Sequence, residues 1–552
     1  MKPRDAAPVF DFDFIIIGSG FGGSVCAHRL TEKGYRVAVI EMGRRWPPER
    51  LPKTNWNVWR WFWRPTFGLR GFFDIQWFRH VAILHGCAVG GGSITYANTL
   101  VRPTDSVWDK GSWAGIADWK SEMPRHFEAA ERMLGVTRNR LLGPADHLLK
   151  RAADAAGIGQ TFYRTSVGVF EGPEGDPGGV THPDPYFGGD GPDRTTCIGC
   201  GGCMMGCRYN AKNTLDKNYL YLAEKHGTRI FEETRAIDVR PLGASDGIQG
   251  YEVLTERSLS RMRRNPRRIT SRSVILAASA LGTMDLLFRL KNRGSLAALS
   301  PCIGDSVRTN AESLIGVRVP HSVEDLSAGI AIGSGIYIDE HTHIQATRYP
   351  AGSDILGLLG TPLAGGKPGR RRILTWLGVL VGSLLRHPFR TIRCLHPFGF
   401  ARETVILLCM QTTEGCLELR SGRPWYWPFK RSLYSRGRRV PTFIPQANDF
   451  ARRAASIVAG APLSMITEIL FDIPGTAHVL GGCPIAASPE RGVVDAEHRV
   501  FGYKNLYICD GSVIPANLGV NPSLTIAALA ERVMSHIPPS PSAFTSEYSP
   551  QN

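Results

Sequence analysis

Three glycines and one glutamate near the start of the chain have the spacing of a site that binds a phosphate-bearing ligand. Gly18, Gly20 and Gly23 fill the pattern G-x-G-x-x-G directly after an apolar run, and Glu41 lies 21 positions past Gly20. The first glycine permits a tight turn, the second lets backbone approach a pyrophosphate, and the third lets a helix pack closely. A carboxylate at the position of Glu41 would accept the ribose hydroxyls of an adenosine. The segment, which includes Phe21 and Gly22, therefore predicts dinucleotide binding.

A second group of chemically capable residues is a run of four cysteines. Cys197, Cys200, Cys203 and Cys207 have the spacing C-x2-C-x2-C-x3-C, which equals the run of bacterial ferredoxins. In two-cluster ferredoxins the fourth cysteine serves the other cluster, and the proline that usually follows it is here Arg208. Four close thiolates also suit tetrahedral zinc. The run leaves three alternatives open: an iron–sulfur cluster, zinc, or structural thiols that are free or paired.

The hydrophobic pattern predicts the elements that must position these residues. A continuous apolar run is typical of a strand buried on both faces. The predicted elements are, in chain order, a strand at 14–17, a helix over 24–32, strands at 36–40, 273–276 and 505–508, and a last helix that ends near 534. A further glycine-rich loop contains Gly90, Gly91 and Gly92, whose backbone N–H groups can approach a ligand with no Cβ in the way.

The charge and cysteine content restrict the classes of protein and compartment. The chain has 65 lysines and arginines against 49 acidic residues, a formal net charge of +16. These charges are scattered and no nucleic-acid-binding motif is present, so we expect no nucleic-acid partner. No run approaches the roughly 20 apolar residues of a membrane-spanning helix, and the first strand begins too early to leave room for a signal peptide. We therefore expect a cytoplasmic protein whose 12 cysteines are reduced.

Two segments are candidates for contact with a membrane surface. Residues 55–79 interleave tryptophan and phenylalanine with arginine, which suits a headgroup interface. Residues 373–385 are mostly apolar, lie between arginines, and are too short to span a bilayer but long enough to lie in its interface. The alternatives are a lid over a substrate pocket for the first segment and a buried helix for the second. Peripheral membrane association is thus one of two interpretations.

Taken together, these motifs resemble the glucose-methanol-choline (GMC) oxidoreductase family, and within it the cholesterol oxidase branch of the actinobacterial, mycobacterial type. The resemblance covers most of the chain, and beyond the first glycine motif it rests on residues 89–93, 183–189, 214–220, 478–482, 503–507 and 521–522. It implies that FAD binds non-covalently, because no histidine follows Ser93, where family members with covalent flavin carry one. It also implies cofactor contacts from Asn98, Asp510 and Gly511.

The resemblance implies an α/β fold, α+β overall, with two domains. A Rossmann-like FAD-binding domain would be assembled from discontinuous segments, beside a substrate-binding domain with a mainly antiparallel sheet. A chain of 552 residues is indeed too long for one ordinary core. The expected boundaries are 1–109, 206–314 and 471–537 for the FAD-binding domain, 110–205 for a part of the substrate-binding domain that forms a cysteine-rich insertion, 315–470 for the rest of the substrate-binding domain, and 538–552 for a disordered tail.

Three residues receive catalytic roles through the resemblance. His478, whose turn also contains Gly481 and Gly482, would face the substrate hydroxyl beside the flavin and act on its proton. Asn521 matches the position where cholesterol oxidases carry asparagine and many other members carry a second histidine, and its amide can hydrogen-bond the substrate oxygen. Glu403 would be a base whose pKa is raised by an apolar pocket, or alternatively a solvent-facing charge at the start of a strand.

The function that the resemblance implies is oxidation of the 3β-hydroxyl of a sterol. Hydride would pass to FAD and then to oxygen, with isomerisation of a double bond as an optional further step. A first alternative is a dehydrogenase for a long-chain or terpenoid alcohol that passes electrons through the cysteine run to a carrier. A second alternative is a flavin-bound, membrane-associated protein without catalytic activity.

Overall fold

Two large sheets organise the chain, and the first contains the strands predicted around the glycine-rich turn. The computed structural model describes residues 10–260, 264–413, 415–424, 429, 431–437 and 440–541. The strands of the first sheet are, in spatial order, Arg229–Phe231, Val37–Ile40, Phe12–Ile17, Arg267–Leu276, Tyr251–Arg257 and Thr234–Pro241, with Leu506–Ile508 paired to the end of Arg267–Leu276. Phe12–Ile17 is parallel to both of its neighbours, while the last three strands of the order are antiparallel to one another.

Helices cover the first sheet and support the second. The α-helices are Phe21–Glu32, Val58–Trp61, Trp119–Met133, Pro144–Ala155, Tyr219–Lys225, Ser279–Arg293, Arg370–Arg386, Pro388–Leu395, Phe400–Glu403, Pro445–Ile457, Ile466–Leu470 and Ser523–His536. Phe21–Glu32 packs against Ser523–His536, and Ser523–His536 packs in turn against Trp119–Met133. The helix predicted over 24–32 therefore begins three residues earlier, at Phe21, because Gly22 and Gly23 are already helical.

The second sheet is antiparallel throughout, as expected for the substrate-binding domain. Its strands are, in spatial order, Gly360–Pro362, Ala461–Met465, Ser313–Arg318, Thr404–Gln411, Thr342–Thr347, Ile332–Tyr337 and Tyr163–Arg164. Side chains alternate between the two faces of each strand. One face packs on helices Pro144–Ala155 and Pro445–Ile457. The other carries Leu408 and Met410, which pack near Ala97 of the first domain.

Smaller strand pairs connect the two domains and bring distant loops together. The remaining strands form one three-stranded sheet, Phe73–Trp77, Ala82–Gly86 and Gly475–Thr476, and four two-stranded ribbons, Trp63–Arg64 with Leu69–Arg70, Thr137–Arg138 with Ser166–Val167, Thr181–His182 with Arg194–Thr195, and Leu417–Gly422 with Ser432–Gly437. Ala82–Gly86 leads into the Gly90 loop, and Gly475–Thr476 leads into His478. Because these two strands pair in parallel, the Gly90 loop and His478 leave the same end of the small sheet.

The packing corrects two of the expected domain boundaries. Helix Trp119–Met133, expected in the insertion, contributes Trp119 to the core of the first sheet. The strand Leu417–Gly422, expected in the substrate-binding domain, buries Leu417 and Leu419 in the same core. The apolar side chains of both segments therefore face the core of the first sheet.

The described part of the chain contains no helix with the length and apolar character needed to cross a membrane. Of the expected disordered tail, residues 538–541 lie against the first domain, where Ser540 N donates to Lys33 O at 2.8 Å. Residues 542–552, like residues 1–9, lie outside the described residues.

Candidate active site

The turn after the first strand, residues 18–23, forms a cradle whose glycines have different surroundings. Gly18 has a φ of +107°, and a Cβ there would lie 2.2 Å from the carbonyl oxygen of Ala277. On Gly22 and Gly23 a Cβ would meet backbone oxygens at 1.8 and 2.1 Å. Gly20 differs, because nothing lies within 4 Å of its Cβ position. The cradle is therefore closed on the protein side and open at Gly20.

Glu41 follows the second strand and is held by the same turn. Its carboxylate accepts hydrogen bonds from Ser19 N (3.1 Å), Ser19 Oγ (2.7 Å) and Gly43 N (2.7 Å). Burial raises the pKa of Glu41. Ser19 Oγ also accepts a hydrogen bond from Gly90 N at 3.0 Å. One hydroxyl thus joins the acidic residue, the cradle and the second glycine-rich loop.

The Gly90 loop closes against the cradle. A Cβ on Gly91 would lie 2.7 Å from Gly20 Cα, whereas Gly92, like Gly20, faces open space. Phe21 is buried beside this loop, edge-to-face with Tyr96 at 5.5 Å. The two loops therefore approach as closely as glycine allows and leave an opening only at Gly20 and Gly92.

These residues fit the adenosine diphosphate half of FAD. The amino terminus of helix Phe21–Glu32 and the backbone N–H groups around Gly20 offer the donors and the dipole that a pyrophosphate needs. Glu41 supplies the carboxylate for the ribose. The opening at Gly20 and Gly92 therefore has the chemistry expected for dinucleotide binding. The neighbouring glycines of both loops leave no room for a side chain.

Asp510 and Gly511 connect this cradle to His478. Asp510 accepts hydrogen bonds from Thr283 Oγ1 (2.5 Å) and Ser512 N (2.8 Å), and burial raises its pKa. The carbonyl oxygen of Gly511 accepts from Gly481 N at 2.9 Å. The turn expected to contact the flavin is therefore bonded to the turn that carries the histidine. Asn98, also expected to contact the cofactor, is buried and has a φ of +65°.

His478 is the centre of a buried hydrogen-bond chain. Its Nδ1 donates to Glu312 Oε1, and its Nε2 accepts from Asn521 Nδ2 at 3.2 Å. Asn521 Oδ1 accepts from Gln345 Nε2 at 3.1 Å, which fixes the direction of the amide. This chain leaves His478 Nε2 as the unprotonated nitrogen, the atom able to take a proton from a hydroxyl. His478 and Asn521, predicted separately, are thus in direct contact.

Glu312 and Gln345 are site residues that the sequence analysis missed. Glu312 is buried and immediately precedes the strand Ser313–Arg318, and alternation places it on the same face as Leu314. Gln345 lies within Thr342–Thr347, opposite Leu408 in register. The only sequence signal was a polar side chain in or beside an apolar strand, because neither residue belongs to a spaced motif.

The expectation that Glu403 is a base with a raised pKa is wrong. Its carboxylate pairs with Arg318 Nη2 at 2.9 Å and with Arg393 Nη2 at 2.5 Å. Burial acts to raise its pKa, but the hydrogen bonds from Arg318 and Arg393 outweigh burial and lower the pKa of Glu403. Arg318 ends the strand that Glu312 precedes, so about 20 Å of strand separates that arginine from Glu312. The solvent-facing alternative is also wrong, because Glu403 is buried.

The wall beside the hydrogen-bond chain is apolar. The inner face of the second sheet carries Leu314, Ile332, Leu408 and Met410 around Gln345. A polar pair at the edge of an apolar wall is the usual arrangement of a site that binds a largely apolar ligand by one polar group.

The four cysteines of the run meet at a single cavity. Its lining includes Cys197, Cys200, Cys203 and Cys207, and all four thiols are free. The alternative of paired structural thiols is therefore contradicted.

Comparison with known proteins adds to this geometry. Residues 443–530 match the family model described as GMC oxidoreductase, and residues 16–46 match the model of an NAD(P)-binding Rossmann-like domain. The chain is 58% identical over 530 residues to a protein named cholesterol oxidase from Acinetobacter baumannii, covering 96% of this chain and 95% of the relative. It is 45% identical over 537 residues to a protein of the same name from Mycobacterium tuberculosis, covering 95% and 91%. The crystal structure of pyridoxine 4-oxidase from Mesorbium loti, 16% identical, superimposes with a TM-score of 0.58 over 95% of this chain and 98% of that one, which shows a shared fold.

Proposed function

The chain belongs to the GMC oxidoreductase family, and on that premise we propose that it oxidises the 3β-hydroxyl of a sterol to the ketone, with FAD as cofactor and oxygen as acceptor. The observation that carries the proposal is the high identity, over almost the whole chain, to relatives named cholesterol oxidase. The residues around His478 supply the chemistry that such an oxidation requires.

An alcohol hydroxyl fits chemically between His478 and Asn521. Asn521 Nδ2 donates to His478 Nε2 at 3.2 Å. An entering hydroxyl would give its own proton to Nε2 and accept a hydrogen bond from Nδ2 in place of that contact. Gln345 keeps the amide nitrogen directed at the substrate oxygen. The site can therefore hold one hydroxyl oxygen and remove its proton.

Glu312 holds His478 in the orientation and tautomer that a base at Nε2 requires. A carboxylate on Nδ1 fixes the tautomer of the imidazole and stabilises the imidazolium that forms when Nε2 takes the proton. Glu312 is buried beside the imidazole, so the interaction is little screened by water. Bound FAD supplies the hydride acceptor. The two glycine-rich loops, with Glu41, are the residues of this chain that would hold it.

The flavin spectrum tests this proposal directly. Anaerobic cholesterol in detergent micelles should bleach the flavin absorbance of the FAD-loaded protein, and air should restore it with release of hydrogen peroxide. The 3β-methyl ether of the same sterol should leave the flavin oxidised, because it has no hydroxyl proton for His478. Bleaching by a long-chain primary alcohol, together with no bleaching by any 3β-hydroxysterol, would overturn the substrate assignment.

A sterol must be taken from a lipid surface, and we propose that helix Arg370–Arg386 contacts that surface. Leu374 and Leu385 are 69% and 80% exposed, and Arg372 is the one residue of the helix that is buried. Arginines at both ends suit anionic headgroups. Trp56 of the aromatic segment stacks at 5.5 Å on Phe398, which follows helix Pro388–Leu395, and that helix contacts Arg370–Arg386.

A further inference from the structure

We infer that Cys197, Cys200, Cys203 and Cys207 bind a single four-iron, four-sulfide cluster beside the FAD-binding loops. All four residues line one cavity, and none of their thiols forms a disulfide. Sterol oxidation by a flavin does not need this cavity, so the inference goes beyond the proposed function.

The backbone explains how the fourth cysteine reaches the same cavity as the other three. Gly199, Gly201 and Gly206 have φ values of +65°, +69° and +95°, and Cys207 itself has a φ of +68°. These left-handed residues turn the chain back on itself, which glycine allows at little cost. Spacing alone assigned the fourth cysteine of such a run to another cluster. Here the fold returns Cys207 to the cavity of Cys197, Cys200 and Cys203.

The separation of the sulfur atoms favours a cluster over a single ion. Four thiolates on one zinc, at about 2.3 Å each, would lie about 3.8 Å apart. Among the described residues, which include all four cysteines, three side-chain ligand atoms lie within 4.8 Å of one another only at Asp74, His85 and Cys87. No three of the four sulfur atoms of the run are therefore that close together. A cluster spreads its thiolates around a larger core than one ion does, so the wider arrangement of this run suits it.

Two buried basic side chains lie beside the run, and neither has a carboxylate within 4.0 Å among the described residues. Lys212 Nζ donates only to carbonyl oxygens, those of Ile94 (2.9 Å), Tyr96 (3.1 Å) and Cys203 (2.7 Å). Arg194, also buried, donates to the carbonyl oxygens of residues 210–212. Neither forms an ion pair within 4.0 Å in the part of the chain that is described. Because a buried guanidinium keeps its charge and is normally paired, an anionic group is expected near Arg194, and a thiolate-bound cluster is anionic.

Hydrogen bonds to sulfur complete the site and connect it to the cofactor loops. Gly199 N donates to Cys197 Sγ and Lys212 N donates to Cys207 Sγ, both at 3.4 Å. Such bonds stabilise thiolate ligands and tune a cluster. Lys212 also bridges the run to Ile94, which follows the Gly90 loop directly. The cluster would therefore lie one layer of residues away from the loop that faces FAD.

Metal analysis of the full-length, FAD-loaded protein tests the inference. After anaerobic purification and incubation with equal amounts of ferrous and ferric iron and with sulfide, we expect about four iron and about four acid-labile sulfide per chain, and a cluster signal in electron paramagnetic resonance after one-electron reduction. Cys200→Ser should lose most of this iron and keep its FAD. Cys416→Ser, which changes an exposed cysteine that does not line the cavity, should retain both.

Three results would overturn the inference. These are wild-type protein without iron after reconstitution, equal iron in the Cys200→Ser variant, or one zinc per chain with no sulfide. If Cys200→Ser fails to fold, as judged by lost FAD, the resonance signal of the wild type decides alone, and its absence counts against the cluster. Because the readouts are iron, sulfide and spectrum, they are independent of sterol turnover.

Discussion

Two buried glutamates show that the partner of a side chain, more than its burial, decides what it can do. Glu403 faces Arg318 and Arg393, which hold it as an ionised structural partner with a lowered pKa. Glu312 faces the imidazole of His478 and no arginine within ion-pair distance among the described residues. A carboxylate paired with two guanidinium groups has its oxygens engaged by those groups, whereas one bound to a histidine orients that histidine as a base.

We therefore expect Glu312→Gln to slow flavin reduction by a sterol roughly 10²–10⁴-fold, the range for loss of acid–base assistance. Glutamine can still accept a hydrogen bond from Nδ1 but carries no charge to stabilise the imidazolium. Stopped-flow measurement of anaerobic flavin bleaching gives the rate, and FAD content confirms folding. Rates equal to wild type would remove Glu312 from the mechanism.

Glu403→Gln is the matched control for this prediction. It should lower thermal stability, since removing one partner of a buried ion pair typically costs about 3–5 kcal/mol. Flavin reduction in the folded fraction should remain at the wild-type rate, because Glu403 contacts neither His478 nor Asn521. A large loss of rate in folded Glu403→Gln would restore its catalytic assignment.

The site residues that belong to a sequence motif could be predicted, whereas those that the second sheet contributes could not. Spacing predicted the glycine motif and Glu41, and the family resemblance predicted His478 and Asn521. Glu312 contacts His478 and Gln345 contacts Asn521, because strand register places both side chains on the same face of the second sheet. Their positions depend on how two domains pack, which no local pattern records.

Among the elements, helix Arg370–Arg386 has an unusual distribution of apolar side chains. Sequence periodicity allowed either a buried or an interfacial helix, and the exposed leucines contradict the buried alternative. The aromatic segment 55–79 contains side chains of both kinds: Trp61 and Phe72 are core residues, whereas Trp59 and Phe67 are exposed. Apolar side chains of these kinds look alike in sequence, and only the packing distinguishes a core face from an unpartnered one.

If this helix contacts lipid, replacing Leu374, Leu377 and Leu385 together by serine should weaken binding to the membrane. We expect less co-sedimentation with vesicles that contain phosphatidylserine and cholesterol, because buried apolar area contributes to interfacial binding. Flavin reduction by cholesterol in micelles should stay unchanged. Replacing the exposed Ile248 and Val323 by serine is the control, and an equal loss of vesicle binding there would argue against a specific surface.

On the scale of the whole molecule, the cofactor cradle is where separated parts of the chain converge. The first sheet combines strands from residues 12–40, 229–276 and 506–508, and the Gly90 loop contacts the first turn through Ser19. The sequence predicted these pieces individually, but their meeting depends on contacts across hundreds of residues. A ligand bound at their junction stabilises the folded state of all of them, because binding to the native state alone shifts the folding equilibrium.

Substitutions at Gly20 and Gly22 distinguish an effect on cofactor binding from an effect on folding. A Cβ on Gly20 meets nothing of the protein within 4 Å, and its φ of −71° is one that alanine adopts readily. A Cβ on Gly22 would lie 1.8 Å from the Cys509 carbonyl oxygen, so the backbone would have to move.

We therefore expect Gly20→Ala to leave the melting temperature of the FAD-free protein unchanged while removing most of the stabilisation by added FAD. For the wild type that stabilisation is roughly 2.7 kcal/mol at an FAD concentration one hundred times Kd. Gly22→Ala should instead lower the melting temperature of the FAD-free protein itself. Thermal melts of the three proteins with and without FAD distinguish these cases, and full stabilisation of Gly20→Ala by FAD would mean that the opening at Gly20 is not where the pyrophosphate binds.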